Sequence, residues 1–256
     1  MIKTLLAALL ATVAPESLTP LLVPVYVRDT PGALGSRWTS ELRAFADREE
    51  GAVLFPQYWE CGITTCPPTP LYQAIQGRVL THVQPGYFNT VQVPGVILYT
   101  ARDHADQLHM NLRVRDTSVN AVSAGTELPV VRESDLSVST LQLLGIRTGS
   151  RFRNTLRVYD VDARPGARVR ISIINRNNTV FNIRDTAFVT TAAWDDRAGV
   201  PLQPGYIEIP IEQALGGVGN YGPLRIEVEP GTPGLRFWAF VATTDNETQQ
   251  VTVVTP

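Results

Sequence analysis

Hydrophobic and polar residues alternate over many short stretches of this chain. In Arg37–Phe45, and again in Arg151–Tyr159, every second residue is uncharged and mainly apolar, while the residues between are mostly polar or charged. Successive side chains of a β-strand point to opposite faces of a sheet, so a period of two is the strand signature. The pattern therefore predicts two strands, each with one face towards a core and one towards solvent.

Further segments have the same alternation and are separated by clusters of turn-forming residues. The alternating segments are Leu112–Arg115, Arg168–Ile173, Ile207–Ile211 and Leu224–Glu229, and the turn clusters are Asp162–Gly166, Asn175–Asn178 and Pro230–Gly234. Short strands at this spacing are typical of antiparallel sandwiches. The sequence therefore predicts an all-β protein made of immunoglobulin-like antiparallel β-sandwiches.

The chain also repeats itself. Three pairs of segments match in the same order: Gly35–Phe45 with Gly149–Tyr159, Pro70–Gly77 with Pro210–Gly217, and Pro94–Ala101 with Pro233–Phe240. The second pair predicts a helical turn or a crossover between sheets, and the third a strand covered on both faces. We therefore expect two tandem domains related by internal duplication, over residues 20–118 and 125–256, with the boundary near Ser118–Gly125.

The motifs that recur in the two copies support a resemblance. Val23-Pro24-Val25 is followed by a strand with Gly35-Ser36 and Leu42, and Gly149-Ser150 with Leu156 repeats that strand. In these motifs the chain resembles a loose group of secreted bacterial proteins of unassigned role, built from tandem immunoglobulin-like repeats. The resemblance implies a secreted β-sandwich protein and transfers no catalytic residue.

The N-terminus predicts export. Lys3 precedes the apolar run Thr4–Ala14, which is too short to span a bilayer and is typical of a signal peptide covering about residues 1–17. Cleavage after Ala11, Ala14 or Ser17 is compatible with the sequence, and a buried N-terminal helix is the alternative. We therefore expect a secreted, extracellular or cell-surface protein, with the periplasm as a further location, and no transmembrane segment after signal removal.

The two cysteines fit this location. Cys61 and Cys66 are separated by four residues that include a glycine, so they can close a small loop through a disulfide, as expected after export. A zinc site needs four ligands, and no histidine lies near this pair in the sequence. We predict a disulfide and no metal site.

Composition and motifs argue against an enzyme or a nucleic-acid-binding protein. The chain is 44% hydrophobic and 18% charged with a net charge of −2, so it is globular and has no overall basic character. It has no Gly-x-Ser-x-Gly motif and no histidine after His109. The neighbouring acids Asp160 and Asp162 are more typical of a turn than of a glycosidase pair. We predict no catalytic residues, no cofactor and no nucleic-acid partner.

Three groups of residues remain as candidate binding sites. His104 and His109 lie in a segment expected to be a solvated turn, with a surface metal site as the alternative. The nine arginines between Arg147 and Arg184 form either a basic stripe or a set of surface ion pairs. The aromatic residues Tyr58, Trp59 and Trp194 lie where the two copies differ, and are the candidate ligand-binding residues.

Taken together, the sequence predicts a non-enzymatic protein that acts through protein–protein contacts, as an adhesin-like module or an extracellular assembly subunit. Self-association is included, because the C-terminal segment Gln249–Pro256 is predicted to be an exposed edge strand that could pair with a neighbour. The alternative is a carbohydrate-binding module, with polysaccharide as the partner of the exposed aromatic residues.

Overall fold

The structure, a computed structural model, describes residues 18–55, 73–83, 95–118, 124–190, 194–195 and 200–256. The chain forms two compact units. The first consists of residues 1–117, 127–133 and 193–202, and the second of residues 118–126, 134–192 and 203–256. The first unit thus takes in two segments that the sequence-based boundaries place in the second domain.

The first unit contains twelve short strands within the described residues. They are β1 (Leu18–Val23), β2 (Thr30–Pro31), β3 (Arg37–Ala46), β4 (Ala52–Leu54), β5 (Gln73–Ile75), β6 (Thr81–Val83), β7 (Val96–Ala101), β8 (Leu108–Asp116), β9 (Thr126–Leu128), β10 (Val131–Arg132), β15 (Trp194–Asp195) and β16 (Val200–Pro201). Short 3-10 helices cover Ala33–Gly35 and Arg102–Gln107, and a third spans Glu133–Asp135 at the boundary between the units.

These strands form antiparallel sheets. One has the order β10-β1-β7, and Phe55, directly after β4, bridges Tyr99 of β7, while β4 pairs with β5. The other has the order β2-β3-β8-β9, with β6 also paired to β3. Residues Val96–Thr100 of β7 are all buried. The Ile97 amide donates to the Leu202 carbonyl (3.0 Å), so Leu202 lies beside β7.

Among its described residues, the second unit contains eight strands and one short helix. They are β11 (Leu141–Ile146), β12 (Phe152–Asp160), β13 (Arg168–Asn175), β14 (Val180–Ala187), β17 (Gly205–Pro210), α1 (Ile211–Ala214), β18 (Leu224–Pro230), β19 (Phe237–Asp245) and β20 (Val251–Val254). The two antiparallel sheets have the orders β11-β18-β13-β14 and β17-β12-β19-β20. No helix among the described residues of either unit is long and apolar enough to cross a membrane.

One hydrophobic core lies between the two sheets of the second unit. Leu143, Ile173 and Ile226 come from the first sheet, and Leu156 and Val241 from the second, each at 2% exposure or less. Period-two patterning places these side chains on the facing surfaces of the sheets. The second unit is therefore an antiparallel β-sandwich.

The strand pattern read from the sequence is confirmed. β3 covers the predicted Arg37–Phe45, and β12 begins one residue after Arg151. Leu42 and Leu156 are buried on the predicted faces, at 2% and 0% exposure. The C-terminal strand is also present as β20, at the end of its sheet within the described residues.

The third pair of matched segments differs in strand pairing. β19, which contains Phe237–Phe240, pairs with β12, whereas β7, which contains Val96–Ala101, pairs with β1. The strand beside β3 is β8, Leu108–Asp116. The similarity of the two apolar runs therefore does not extend to their neighbours, because hydrogen bonding to neighbouring strands defines the position of a strand in a sheet.

The second pair of segments also differs between the units. In the later segment a short helix, α1, begins after Pro210, whose fixed backbone angle is compatible with the start of a helix. In the earlier copy the described part of the segment is a strand, β5. The two segments are therefore similar in sequence and different in secondary structure.

Candidate functional site

Most of the sequence-predicted site residues fall outside the part of the chain that the structure describes. This holds for Tyr58, Trp59, Cys61 and Cys66. The backbone of Trp194 lies in β15, opposite Pro201 of β16, and its side chain is not among those described. Sugar binding by the aromatic residues therefore stays a prediction, and so does the disulfide between Cys61 and Cys66.

The two neighbouring histidines contact acids individually. His109 Nε2 lies 2.7 Å from Asp47 Oδ2, and His104 Nε2 lies 3.8 Å from Asp103 Oδ1. His104 is in the 3-10 helix between β7 and β8, and His109 is in β8. Across the described ranges, no group of three or more His, Cys, Asp or Glu side chains is arranged to hold a metal ion.

The paired acids at the end of β12 stabilise a turn. Asp160 is fully buried and accepts hydrogen bonds from the backbone amides of Asp162 (3.1 Å) and Arg164 (2.7 Å). Burial raises the pKa of Asp160, with the backbone donors opposing the effect. Burial also acts to raise the pKa of Asp162, but hydrogen bonds and ion pairs with Arg236 and Arg164 outweigh it and lower that pKa. Asp160 is held by the backbone of its own turn, and Asp162 is held by Arg164 of that turn and by Arg236, which gives both carboxylates a structural role.

We expect Asp162→Asn to change how stability depends on pH. A carboxyl whose pKa is lowered in the fold stabilises it above the unfolded value of about 3.9, and this contribution is lost as the pH falls through the folded pKa. At pH 7 the variant should lose about 1–2 kcal/mol. Urea unfolding between pH 2 and 7 measures this difference, which should shrink at the acidic end. A difference that stays constant with pH contradicts the ion-pair explanation.

Three arginines at β12 contact acceptors on β19, on β17 or in the turn before β20. Arg151 Nη2 is 2.7 Å from Asp245 Oδ2, and Arg157 Nε is 2.9 Å from Glu208 Oε2. Arg153 donates to the Gln249 side-chain carbonyl at 3.1 Å. At Arg151 and Arg157 these contacts favour the ion-pair interpretation over a basic stripe, since the two carboxylates neutralise their charge locally.

Strands β3 and β12 each have a buried polar residue among their alternating buried positions, Ser40 and Asn154. Ser40 accepts the amide of Val27 (3.0 Å), and Asn154 donates to the Arg147 carbonyl (2.8 Å). Thr243 donates to the Asn154 side-chain oxygen at 2.7 Å. Each of these side chains holds a backbone segment that precedes its strand, Val27 in one case and Arg147 in the other. Buried polar groups need hydrogen-bond partners of this kind.

The strongest candidate for a binding surface is strand β14, residues Val180–Ala187, which we call the β14 edge. Among the described residues it pairs with β13 and ends its sheet. It is half-buried at Asn182 and Thr186 and exposed elsewhere. Val180, Phe181 and Ile183 are 47%, 41% and 47% exposed. A sheet edge that presents apolar side chains is a template for pairing with another chain.

The backbone direction at Ile183 follows from the C-terminal end of the β14 edge, where the Phe188 amide donates to the Ala167 carbonyl. The pairing with β13 is regular from there to Asn182, and the register shifts only beyond it, between Ile173 and Ile174 of β13. Hydrogen-bonding directions alternate along a regular strand, so the backbone of Arg184, opposite Ile171, faces β13. The backbone N–H and C=O of Ile183 therefore point outwards, away from the sheet.

Neighbouring groups hold the β14 edge in place. The Asn182 side chain donates to the Ala214 carbonyl at the end of α1. The Phe181 ring packs edge-on against Tyr221, with 5.3 Å between centroids. Tyr221 is fixed by its amide, which donates to Thr148 Oγ1 at 3.0 Å. The strand is thus supported at its apolar end while its outer side stays exposed.

The sequence interpretation did not single out the β14 edge. A signal was present, because the turn Asn175–Asn178 is followed directly by Val180-Phe181 and Ile183, residue types that favour strands. The alternation predicts a strand there, but its position at the end of the sheet, within the part of the chain that the structure describes, depends on the sheet order. No protein-family model matches the chain, and comparisons with curated proteins and with solved structures also found no match.

Proposed function

We propose that this chain is a non-enzymatic secreted or cell-surface protein that acts through protein–protein contacts, as an adhesin-like or assembly subunit. The single observation that carries the proposal is the exposed apolar β14 edge. Its exposed Ile183 has an outward-facing backbone, so an incoming strand finds hydrogen-bonding groups and an apolar contact at the same place.

We also propose that the two units arose by duplication of one immunoglobulin-like domain. Support comes from equivalent contacts at the matched strands. Trp38 lies opposite Asp116 in the first unit, and Phe152 lies opposite Asp245 in the second. The amide after each of these aspartates donates to the carbonyl of the arginine before the aromatic residue, at 2.7 Å in both units.

The relation to the immunoglobulin fold concerns the central strands. β12 pairs with β17 and β13 with β18. In the proposed relation these two pairs take the places of the B–E and C–F pairs of that fold. The outer strands differ, because β19 pairs with β12 and β11 with β18. Tyr221, between β17 and β18, directs its hydroxyl to the Leu215 carbonyl at 3.5 Å, as in a tyrosine corner.

Replacement of Ile183 by lysine tests the proposed contact. Lysine on an edge strand opposes pairing because its charge must be desolvated. We expect labelled full-length Ile183→Lys to bind the surface of cells of the producing organism about tenfold more weakly than the unchanged chain. Flow cytometry over a concentration series measures this binding.

Val138→Lys is the matched control, because Val138 is 64% exposed and lies outside the strands of the second unit. It should leave binding unchanged, and circular dichroism should show that both variants fold. Equal binding by the Ile183 variant and the unchanged chain contradicts the β14 edge as the contact. Absence of surface binding by the unchanged chain contradicts the proposed function itself.

A further inference from the structure

We infer that the partner of the β14 edge is a second copy of this chain, paired antiparallel about a two-fold axis through Ile183. The inference rests on the proposed function and specifies the partner and the register. In such a pair Ile183 of one copy lies opposite Ile183 of the other, and the two four-stranded sheets become one sheet of eight strands.

The charges of the strand select this register. Antiparallel pairing about a two-fold axis places the central residue opposite its own copy. A centre at Arg184 would place two guanidiniums face to face, and a centre at Asp185 two carboxylates, and like charges directly opposite destabilise a pair. With the centre at Ile183, Arg184 lies opposite Asn182 and Asp185 opposite Phe181, so like charges do not meet.

Hydrogen bonding favours the same centre. The outward N–H and C=O of Ile183 can exchange two hydrogen bonds with those of its copy, as in a hydrogen-bonded antiparallel pair. The Asp185 carbonyl is instead engaged within the chain, where Arg168 Nη2 donates to it at 3.0 Å. Pairing centred on Asp185 places this occupied carbonyl at the axis itself, whereas pairing centred on Ile183 places it two residues away from the axis.

Apolar burial adds to the pairing. Val180 and Phe181 lie on one side of Ile183 and are exposed in the single chain. A two-fold axis through Ile183 places Ile183 against its own copy and brings Phe181 of each copy beside Asp185 of the other, so exposed surface of both apolar residues is covered. Removal of apolar surface from water stabilises the pair in proportion to the area covered.

Disulfide trapping tests the register. Residues in a hydrogen-bonded antiparallel pair have Cα atoms about 5.5 Å apart, within the range of about 4.4–6.8 Å that a disulfide spans. We expect full-length Ile183→Cys, under mild oxidation, to form a covalent dimer about tenfold faster than Val138→Cys. Mass spectrometry of the linked peptide identifies the 183–183 bond and separates it from links to Cys61 or Cys66.

Sedimentation equilibrium of the unchanged chain completes the test. We expect a concentration-dependent dimer that Ile183→Lys removes. A monomer at all concentrations, or trapping no faster than at Val138, overturns the inference. Faster trapping with Arg184→Cys or Asp185→Cys overturns the register. If purified chains stay monomeric while cell-surface binding still depends on Ile183, the proposed function stands and the partner is a different protein.

Discussion

Truncation of Phe237 to alanine is expected to lower the free energy of unfolding of the second unit by about 3–5 kcal/mol, the usual cost of a buried phenylalanine. Phe237 is 0% exposed and belongs to the core between the two sheets. Its backbone also exchanges hydrogen bonds with Ser137 at 2.9 and 3.0 Å. The neighbouring backbone is thus held in place, so we expect it to close the cavity incompletely and the loss to be large.

The matched control is Phe181→Ala, the same change at a ring that is 41% exposed on the β14 edge. This change should lower the free energy of unfolding by less than about 1 kcal/mol, since truncation of an exposed ring removes little more than its contact with Tyr221. Urea unfolding followed by amide hydrogen exchange in β12 measures both variants in the second unit itself. Equal losses would show that the sandwich core is not centred on Phe237.

Gly51→Ala should destabilise the first unit by about 2–5 kcal/mol, combining the cost of a left-handed backbone with that of overpacking. Gly51 has φ +76°, and an added Cβ would lie 2.2 Å from the Ile75 carbonyl oxygen and 2.9 Å from the Gly77 nitrogen. The obstructing atoms are backbone, so a rotamer change cannot relieve the clash. The bend before β4 would have to move away from β5.

Gly35→Ala separates the two contributions. Gly35 has almost the same backbone angle, φ +79°, but nothing lies within 4 Å of an added Cβ. It should therefore cost about 1–2 kcal/mol, for the left-handed conformation alone. Thermal unfolding of both variants, with hydrogen exchange in β4, gives the comparison. If Gly51→Ala costs no more than Gly35→Ala, the bend is looser than the structure indicates.

Variants of the core and of the β14 edge are expected to affect different properties of the protein. Changes at Phe237 and Gly51 act on folding, whereas the change from Ile183 to lysine alters an exposed side chain and is expected to affect association. Comparing these variants separates loss of binding caused by unfolding from loss caused by the contact. A protein that works through its surface should tolerate the Ile183 change as a folded chain.

Local alternation predicted individual strands well. In β13, Val169 and Ile171 are buried while Arg168 and Arg170 are exposed, as the sequence indicates. This works because the period of two is imposed by the backbone of each strand, whatever its neighbours are. The alternation of Leu224–Glu229 predicted β18 for the same reason, with Leu224, Ile226 and Val228 buried.

Pairing between strands was predicted less well. The apolar run Pro94–Ala101 resembles Pro233–Phe240, but β7 pairs with β1 whereas β19 pairs with β12. An apolar run indicates that both faces of a strand are buried. Several positions in two sheets are buried in this way, so the run does not identify one of them. Which strand lies beside which is decided by long-range hydrogen bonds and packing, and a local pattern contains little of that information.

The sequence by itself determined the class of the fold, the inner and outer faces of its main strands, and the turns that separate them, because these depend on neighbouring residues and backbone geometry. Only the tertiary structure decided that residues 127–133 and 193–202 join the first unit. It also decided that, of the strands described, β14 ends its sheet with Ile183 exposed. An edge strand and a central strand can have the same alternation, and they differ in whether a second neighbour supplies hydrogen bonds.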